Sequence, residues 1–164
     1  MNSKQNIKIL LEKTIHALNN DEPCILPTDT FYALSVRANS SLAVKRLFEI
    51  KKRDLNKPVP ILISSLNDIS NYCDTSSETL QKLANKFWPG PLTIVLPLQG
   101  GIPKEINNDS GFLGVRVPDH SFAVDLIKDL GQPITGTSAN ISNFPPSKDI
   151  NDVLIPNSIN QENK

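Results

Sequence analysis

Apolar residues recur at helical spacing at Ile7, Leu10, Leu11, Ile15 and Leu18 and give way to Asn19, Asn20 and Asp21, so the pattern predicts an amphipathic helix over residues 7–19, with His16 on its flank. Cys24, Ile25 and Leu26 form a short apolar run between Pro23 and Pro27, which reads as a buried strand entering a loop over residues 28–32. Ser40 or Ser41 caps a second helix. Its buried face is Leu42, Ala43, Leu47, Phe48 and Ile50, and its end delivers Lys51, Lys52 and Arg53.

The remaining pattern predicts a strand over 59–63, a short helix over 66–72, and a helix running through Phe87 that opens on a capping box of Thr75 and Glu78. Trp88-Pro89-Gly90-Pro91 breaks that helix. Strands follow at 92–96 and 113–117, then a helix over 122–130 closed by Gly131, then a strand over 133–136. Strands separated by helices argue for a layered α/β fold, and the closely spaced later strands argue for a mixed sheet. Residues 1–155 read as one domain, and the polar tail over 156–164 is expected to fray.

Composition narrows the function classes. The chain has 164 residues, 38% of them hydrophobic and 21% charged, with 17 acidic and 17 basic side chains, so it can bury a core and shows no bulk basic signature for nucleic acid. Cys24 and Cys73 are the only cysteines and have no metal-ligand spacing, which makes them buried free thiols. The N-terminal stretch has no continuous apolar region of signal-peptide or membrane-spanning length, so no membrane role and a cytoplasmic location are expected.

Candidate chemistry lies in loops. Lys51, Lys52, Arg53 and Lys57 fall within seven positions and can neutralise phosphates, although a solvated helix end would look the same. There is neither a GxxxxGK[ST] loop nor a GxGxxG turn, so a nucleotide has to bind another way. Thr135-Gly-Thr-Ser-Ala-Asn140 offers hydroxyls, an amide and small residues after a strand, as would an ordinary Ser/Asn turn. Strand alternation sets Arg116 on the face opposite Val115 and Val117, free to pair with a carboxylate or with solvent. Thr28, Asp29 and Thr30 sit at a strand end, where open α/β sheets bind ligands. Neither His16 nor His120 neighbours a Ser or Cys in a nucleophilic motif, and His120 reads as a cap or packing group in its turn.

Taken together, Pro27-Thr-Asp-Thr-Phe-Tyr-Ala-Leu34, Lys51-Lys-Arg53 with Lys57-Pro58, Trp88-Pro-Gly-Pro-Leu-Thr93, Val115-Arg-Val-Pro-Asp-His120 and Thr137-Ser-Ala-Asn140 closely resemble the YrdC/Sua5 family of threonylcarbamoyl-AMP synthases over residues 7–153. The resemblance implies a YrdC-like twisted mixed sheet flanked by helices, with a basic concave face. It also implies an enzyme, a nucleotidyltransferase, that makes threonylcarbamoyl-adenylate and pyrophosphate from ATP, bicarbonate and L-threonine for t6A modification of tRNA position 37. Thr30 and Arg116 would contact threonine. Lys51, Arg53, Lys57, Ser138 and Asn140 would hold the nucleotide, with Mg2+ carried by the ATP phosphates and no protein nucleophile. RNA and tRNA-modifying proteins are the further partners implied.

The sequence departs from the family pattern in three places. Tyr32-Ala33 replaces Tyr-Gly, Asn143 replaces the Gly after Ser-x-Asn-x-Ser, and the Gly-rich continuation is unmatched, so weaker closure over the nucleotide is expected. The alternative is a non-catalytic YrdC-like paralogue that binds RNA or a nucleotide through the same basic face.

Overall fold

The first apolar stripe forms helix α1 (Ser3–Asn19), which starts earlier than residue 7, in a computed structural model that describes residues 3–153. The tail over 156–164, expected to fray, lies outside the described residues. In α1 the stripe turns inward progressively. Ile7 and Leu10 stay exposed, Leu11 and Ile15 are half-buried, and Leu18 is fully buried against Leu126 and Ile127. Ser40 caps α2 (Ser41–Lys51) by accepting the Ala43 amide at 3.3 Å.

Two small sheets carry the strands. In one, β1 (Cys24–Leu26), β2 (Ala33–Ser35) and β7 (Thr137–Ser138) lie antiparallel in the order β1-β2-β7. In the other, the order is β4 (Ile94–Pro97), β5 (Phe112–Arg116), β3 (Ile61–Leu62), β6 (Ile134–Thr135), with β3 and β5 parallel and the other pairs antiparallel. The expected mixed pairing is therefore present in the four-stranded sheet, while the three-stranded one is wholly antiparallel. They are joined where the segment carrying β6 and β7 also pairs with the continuation of β2: Thr135 N donates to Val36 O at 2.9 Å and Ala38 N to Pro133 O at 3.0 Å.

Alternation along β3 separates the two cores. Ile61 and Ile63 face Leu47, Phe48, Leu113 and Val115, whereas Leu62 faces α1 and α5 (Ser121–Leu130) through Leu18, Leu126 and Ile127. Gly136, between β6 and β7, makes the crossing possible. Its amide donates to Pro60 O at 2.8 Å, and a Cβ there would lie 2.7 Å from Leu62 Cγ and Cδ2. Gly136→Ala is expected to destabilise the fold by about 1–3 kcal/mol, through displacement of Leu62 or of the β7 segment. A denaturant midpoint equal to that of the parent would contradict this close approach.

Several elements differ from expectation for local reasons. Strands expected at 59–63, 92–96, 113–117 and 133–136 pair over fewer or shifted residues, and β2, β7 and the four-residue helix α4 (Lys104–Asn107) were not anticipated. The segment 66–72 forms only a 3-10 turn, Leu66–Ile69, whose Ile69 carbonyl accepts both the Tyr72 and Cys73 amides. Helix α3 (Glu78–Phe87) is capped by Ser77, which accepts the Leu80 amide at 3.4 Å, and not by a Thr75–Glu78 box. Trp88 ends it, and the Trp88–Pro89 peptide is cis. No helix among the described residues is long and apolar enough to cross a membrane.

Candidate active site

The end of α2 separates its consecutive cations. Lys52 adopts a left-handed conformation (φ 48), the Lys52 amide donates to Glu49 O at 3.1 Å, and the Arg53 amide donates to Phe48 O at 3.0 Å. This paired closure reverses the chain, so successive side chains leave in different directions. Lys51 is 2% exposed, Lys52 is exposed, and Arg53 is half-buried.

The Lys51 ammonium donates to Ser138 O, to Asn140 O at 2.6 Å and to Asn140 Oδ1 at 3.4 Å, three acceptors for its three protons. Its own carbonyl accepts the Ser142 amide at 2.9 Å, so the end of α2 and the loop after β7 form one unit. Burial, aided by the nearby Arg53 charge, pushes the Lys51 ammonium down to about 8. Ser138 Oγ donates to Asn140 Oδ1 at 2.5 Å, and Asn140 Nδ2 donates to Phe144 O at 2.5 Å. Asn143, in place of the family's usual glycine, has φ 74, a conformation that Asn tolerates better than most side chains.

Arg53 works across the turn that follows. Its Nε donates to Lys57 O at 3.1 Å and its Nη2 to Pro58 O at 2.9 Å, and burial pushes its pKa down from the usual value. Lys57 closes that turn through its backbone, donating to Asp54 O at 3.0 Å, while its side chain is exposed. Arg53 and Lys57 thus meet through main chain, beside the start of the β3 segment.

Val115 on β5 and Val117 just past its end are buried, and Arg116 between them lies on the opposite face, as alternation requires. Its guanidinium spans three segments. Nε donates to Gly90 O at 2.9 Å, Nη1 to Thr30 Oγ1 at 3.2 Å, and Nη2 to Asp29 Oδ1 at 2.5 Å. The Arg116 and Asp29 side chains are only 13% and 16% exposed. Thr28 shapes the loop, its Oγ donating to Phe31 O at 2.6 Å and accepting the Thr30 and Phe31 amides at 3.3 Å.

The structure therefore brings Thr30 to Arg116, and Lys51 to Ser138 and Asn140. Strand pairing sets these two groups side by side. Ala33 pairs with Ser138, and Tyr32 O accepts the Ala139 amide at 2.8 Å. A cleft of about 320 Å³ beside Thr28, Asp29, Thr30 and His120 adjoins one of about 450 Å³ beside Asn140, Phe144 and Ser147. Lys148 lines both, with its ammonium 5.6 Å from the centroid of the Phe31 ring.

Sequence reasoning missed three contributors. Gly90 acts through a carbonyl, which carries no residue-type signal. Lys148 follows two prolines outside any motif. His120, expected as a cap or packing group, makes no cap hydrogen bond and packs with its Nδ1 buried in the wall of the first cleft.

Comparison with known proteins identifies the family. Residues 16–157 match the Sua5/YciO/YrdC family, described as telomere recombination. The chain is 40% identical over 119 residues to a threonylcarbamoyl-AMP synthase of Pyrococcus abyssi, covering 73% of this chain and 35% of that protein. It is 32% identical over 146 residues to a threonylcarbamoyl-AMP synthase of Enterobacter sp. (strain 638), covering 88% and 77%. Its fold superposes on P. abyssi Sua5 complexed with L-threonine with a TM-score of 0.84 at 34% identity, over 87% of this chain and 42% of that one. It spans less than half of either Pyrococcus chain. With the family match running through every segment that builds the two clefts, the chain belongs to the Sua5/YciO/YrdC family.

Proposed function

We propose that this protein is a threonylcarbamoyl-AMP synthase, a nucleotidyltransferase that joins ATP, bicarbonate and L-threonine into threonylcarbamoyl-adenylate and releases pyrophosphate. The observation that carries this reading is the placement of the Arg116–Thr30 group beside the Lys51–Ser138–Asn140 group across the β2–β7 pair. One group suits an amino acid and the adjoining one suits a nucleotide. The names of the relatives support the reaction, and L-threonine in the Sua5 complex supports the amino acid.

In this reading the Arg116 guanidinium takes the threonine carboxylate with N–H donors left over from Asp29, Thr30 and Gly90, and Thr30 supplies a hydroxyl beside it. Lys51 holds the 138–140 loop in position and adds positive charge behind it. Ser138 and Asn140 form the loop that meets the nucleotide, Asn140 holding it in shape through its Oδ1 and Nδ2 hydrogen bonds, and Arg53 and Lys57 neutralise the terminal phosphates. Mg2+ would enter with the ATP and add charge neutralisation at the phosphates that Arg53 and Lys57 hold. A carbamate oxygen attacks the α-phosphorus as the bond to pyrophosphate breaks, a step that depends on charge neutralisation and in-line positioning and needs no protein nucleophile. The adenylate would serve t6A formation at tRNA position 37, in the cytoplasm, together with RNA and tRNA-modifying proteins.

Pyrophosphate release from ATP that requires both threonine and bicarbonate tests this function, and release independent of threonine would overturn it. Arg53→Ala and Lys57→Ala are each expected to weaken ATP binding by about 1–3 kcal/mol, the unfolding midpoint holding in Lys57→Ala and falling modestly in Arg53→Ala, which loses the bonds to Lys57 O and Pro58 O. Calorimetric ATP affinities equal to the parent's would remove both residues from the nucleotide site.

A further inference from the structure

Of the residues around the two clefts, Lys148 alone lines both. Its segment is pinned at two points. Asn140 Nδ2 donates to Phe144 O at 2.5 Å and the Tyr32 amide donates to Ser147 O at 3.2 Å, so residues 144–147 are tied to the loop after β7 and to the loop before β2. Ser147 Oγ closes the turn around Lys148, donating to Asp149 O at 2.7 Å and accepting the Asp149 amide at 2.9 Å. The Lys148 side chain is exposed, and its ammonium lies 5.6 Å from the centroid of the Phe31 ring, which is itself part of the wall of the smaller cleft. Asp29 lines one cleft and Asp149 the other, yet the ion pairs among the described residues all belong to other cations.

A ring face beside an ammonium directs it without neutralising it, so its three N–H donors stay available to a ligand. The other cations of the site are already bonded to protein or lie elsewhere. Lys51 gives its protons to the 138–140 loop, Arg116 binds Asp29, Thr30 and Gly90, and Arg53 and Lys57 stand at the turn before β3. The proposed reaction brings two anions together. Threonylcarbamate carries the charge of its carbamate group, and the α-phosphate it approaches is also negative, so the approach is repelled unless a cation stands between them. Thr30 lines one cleft and Asn140 the other, and a cation that lines both stands where the amino-acid side meets the nucleotide side.

Resting on the function proposed above, we infer that Lys148 is a catalytic residue that bridges the two clefts, its ammonium held between the carbamate and the α-phosphate of ATP. It donates to the carbamate oxygen that does not attack and to a non-bridging oxygen of the α-phosphate. The other carbamate oxygen forms a bond to the α-phosphorus, the bond from that phosphorus to the pyrophosphate oxygen breaks, and pyrophosphate leaves with the electron pair. Lys148 lends charge and hydrogen-bond donors, transfers no proton, and no oxidant or reductant enters. Phe31 is a positioning residue that acts through Lys148, its ring keeping the ammonium at the cleft wall.

Lys148→Met and Lys148→Arg in the full chain test this, and because the side chain is exposed both should unfold at the parent's midpoint. Lys148→Met is expected to lower kcat for adenylate formation by about thirtyfold or more. Its ATP affinity, measured without threonine, should stay within about threefold of the parent's. Lys148→Arg keeps the charge and should recover about tenfold of the lost rate. Phe31→Leu should cost about fivefold in kcat in the parent and nothing further in Lys148→Met, because the ring acts through the lysine. A lysine that is merely solvated would leave kcat of Lys148→Met within about threefold of the parent's, and one that only binds nucleotide would lower ATP affinity as far as kcat. Either result would overturn the inference, as would losses that add in the Phe31→Leu, Lys148→Met double variant, and each would leave the function standing. A parent chain that forms no adenylate would overturn both.

Discussion

Arg116→Ala is expected to lower threonine-dependent adenylate formation by roughly a hundredfold or more, because the guanidinium joins the 28–30 loop and the Gly90 turn to β5. Its removal acts twice. It deletes the proposed carboxylate ligand, and it leaves the Asp29 side chain, 16% exposed, without its cation and close to where a substrate carboxylate would lie. Arg116→Lys is expected to restore little, since one ammonium cannot span three acceptors on three segments. The damage should fall on the KM for threonine and on kcat, with ATP affinity within about twofold of the parent's. An equal loss of ATP affinity would show that Arg116 holds the whole site together and does not serve the amino-acid side.

The second large effect is expected at Lys51. Lys51→Ala deletes a side chain that is 2% exposed and leaves two carbonyls and Asn140 Oδ1 without their cationic donor, at a cost of about 3–5 kcal/mol. Lys51→Met fills most of the space and isolates the charge, so it should be less destabilising but still release the 138–140 loop and weaken ATP binding. The ammonium also predicts a pH dependence. Burial, with Arg53 nearby, pushes Lys51 down to about 8 from the usual 10.5, so between those values the unfolded chain holds more protons than the folded one. The stabilisation linked to this group is therefore absent below pH 8, grows through the window and is complete above 10.5, reaching on the order of 3 kcal/mol at most.

Lys51→Met should lack that rise. Taking the difference between the two proteins cancels the thiols of Cys24, half-buried where the sequence led us to expect it buried, and of buried Cys73, which desolvation pushes up to about 12 and about 11 and whose contribution falls as pH rises above 9. Parallel stability profiles for the parent and Lys51→Met between pH 7 and 10 would contradict a buried charged lysine.

How far the sequence discloses this depends on what kind of signal each part leaves. The long amphipathic segments were legible: α1, α2, α3 and α5 all lie where apolar periodicity places them, although Ser77 and not a Thr75–Glu78 box caps α3, and Gly131 closes α5 in a left-handed conformation (φ 72). The strands that build the site were not. In β2, Ala33, Leu34 and Ser35 are all buried, so no two-residue alternation marks them, and β7 is two polar residues that read as a turn. That pairing is what brings Thr30 near Ser138, and sequence could supply it only through resemblance to a family.

The residue types at the candidate site were legible, but their bonding was not. Lys51, Lys52 and Arg53 look alike as a basic run. The left-handed turn at Lys52 alone decides that Lys51 is buried under the loop while Lys52 faces solvent. The partners of Arg116 come from segments 26 and 87 positions away, and one of them is a backbone oxygen. Conversely, the Ser138–Asn140 spacing, weak as a motif, proves to be a local hydrogen bond of 2.5 Å that the distant Lys51 completes.

The most direct test of the proposed function is mass spectrometric detection of the product formed from ATP, L-threonine and 13C-labelled bicarbonate by the purified parent chain. A nucleotide with the mass of threonylcarbamoyl-AMP, shifted by a single carbon label and absent when threonine is omitted, is the result expected. Folded protein that binds ATP yet yields only unmodified ATP and threonine would contradict the proposed activity.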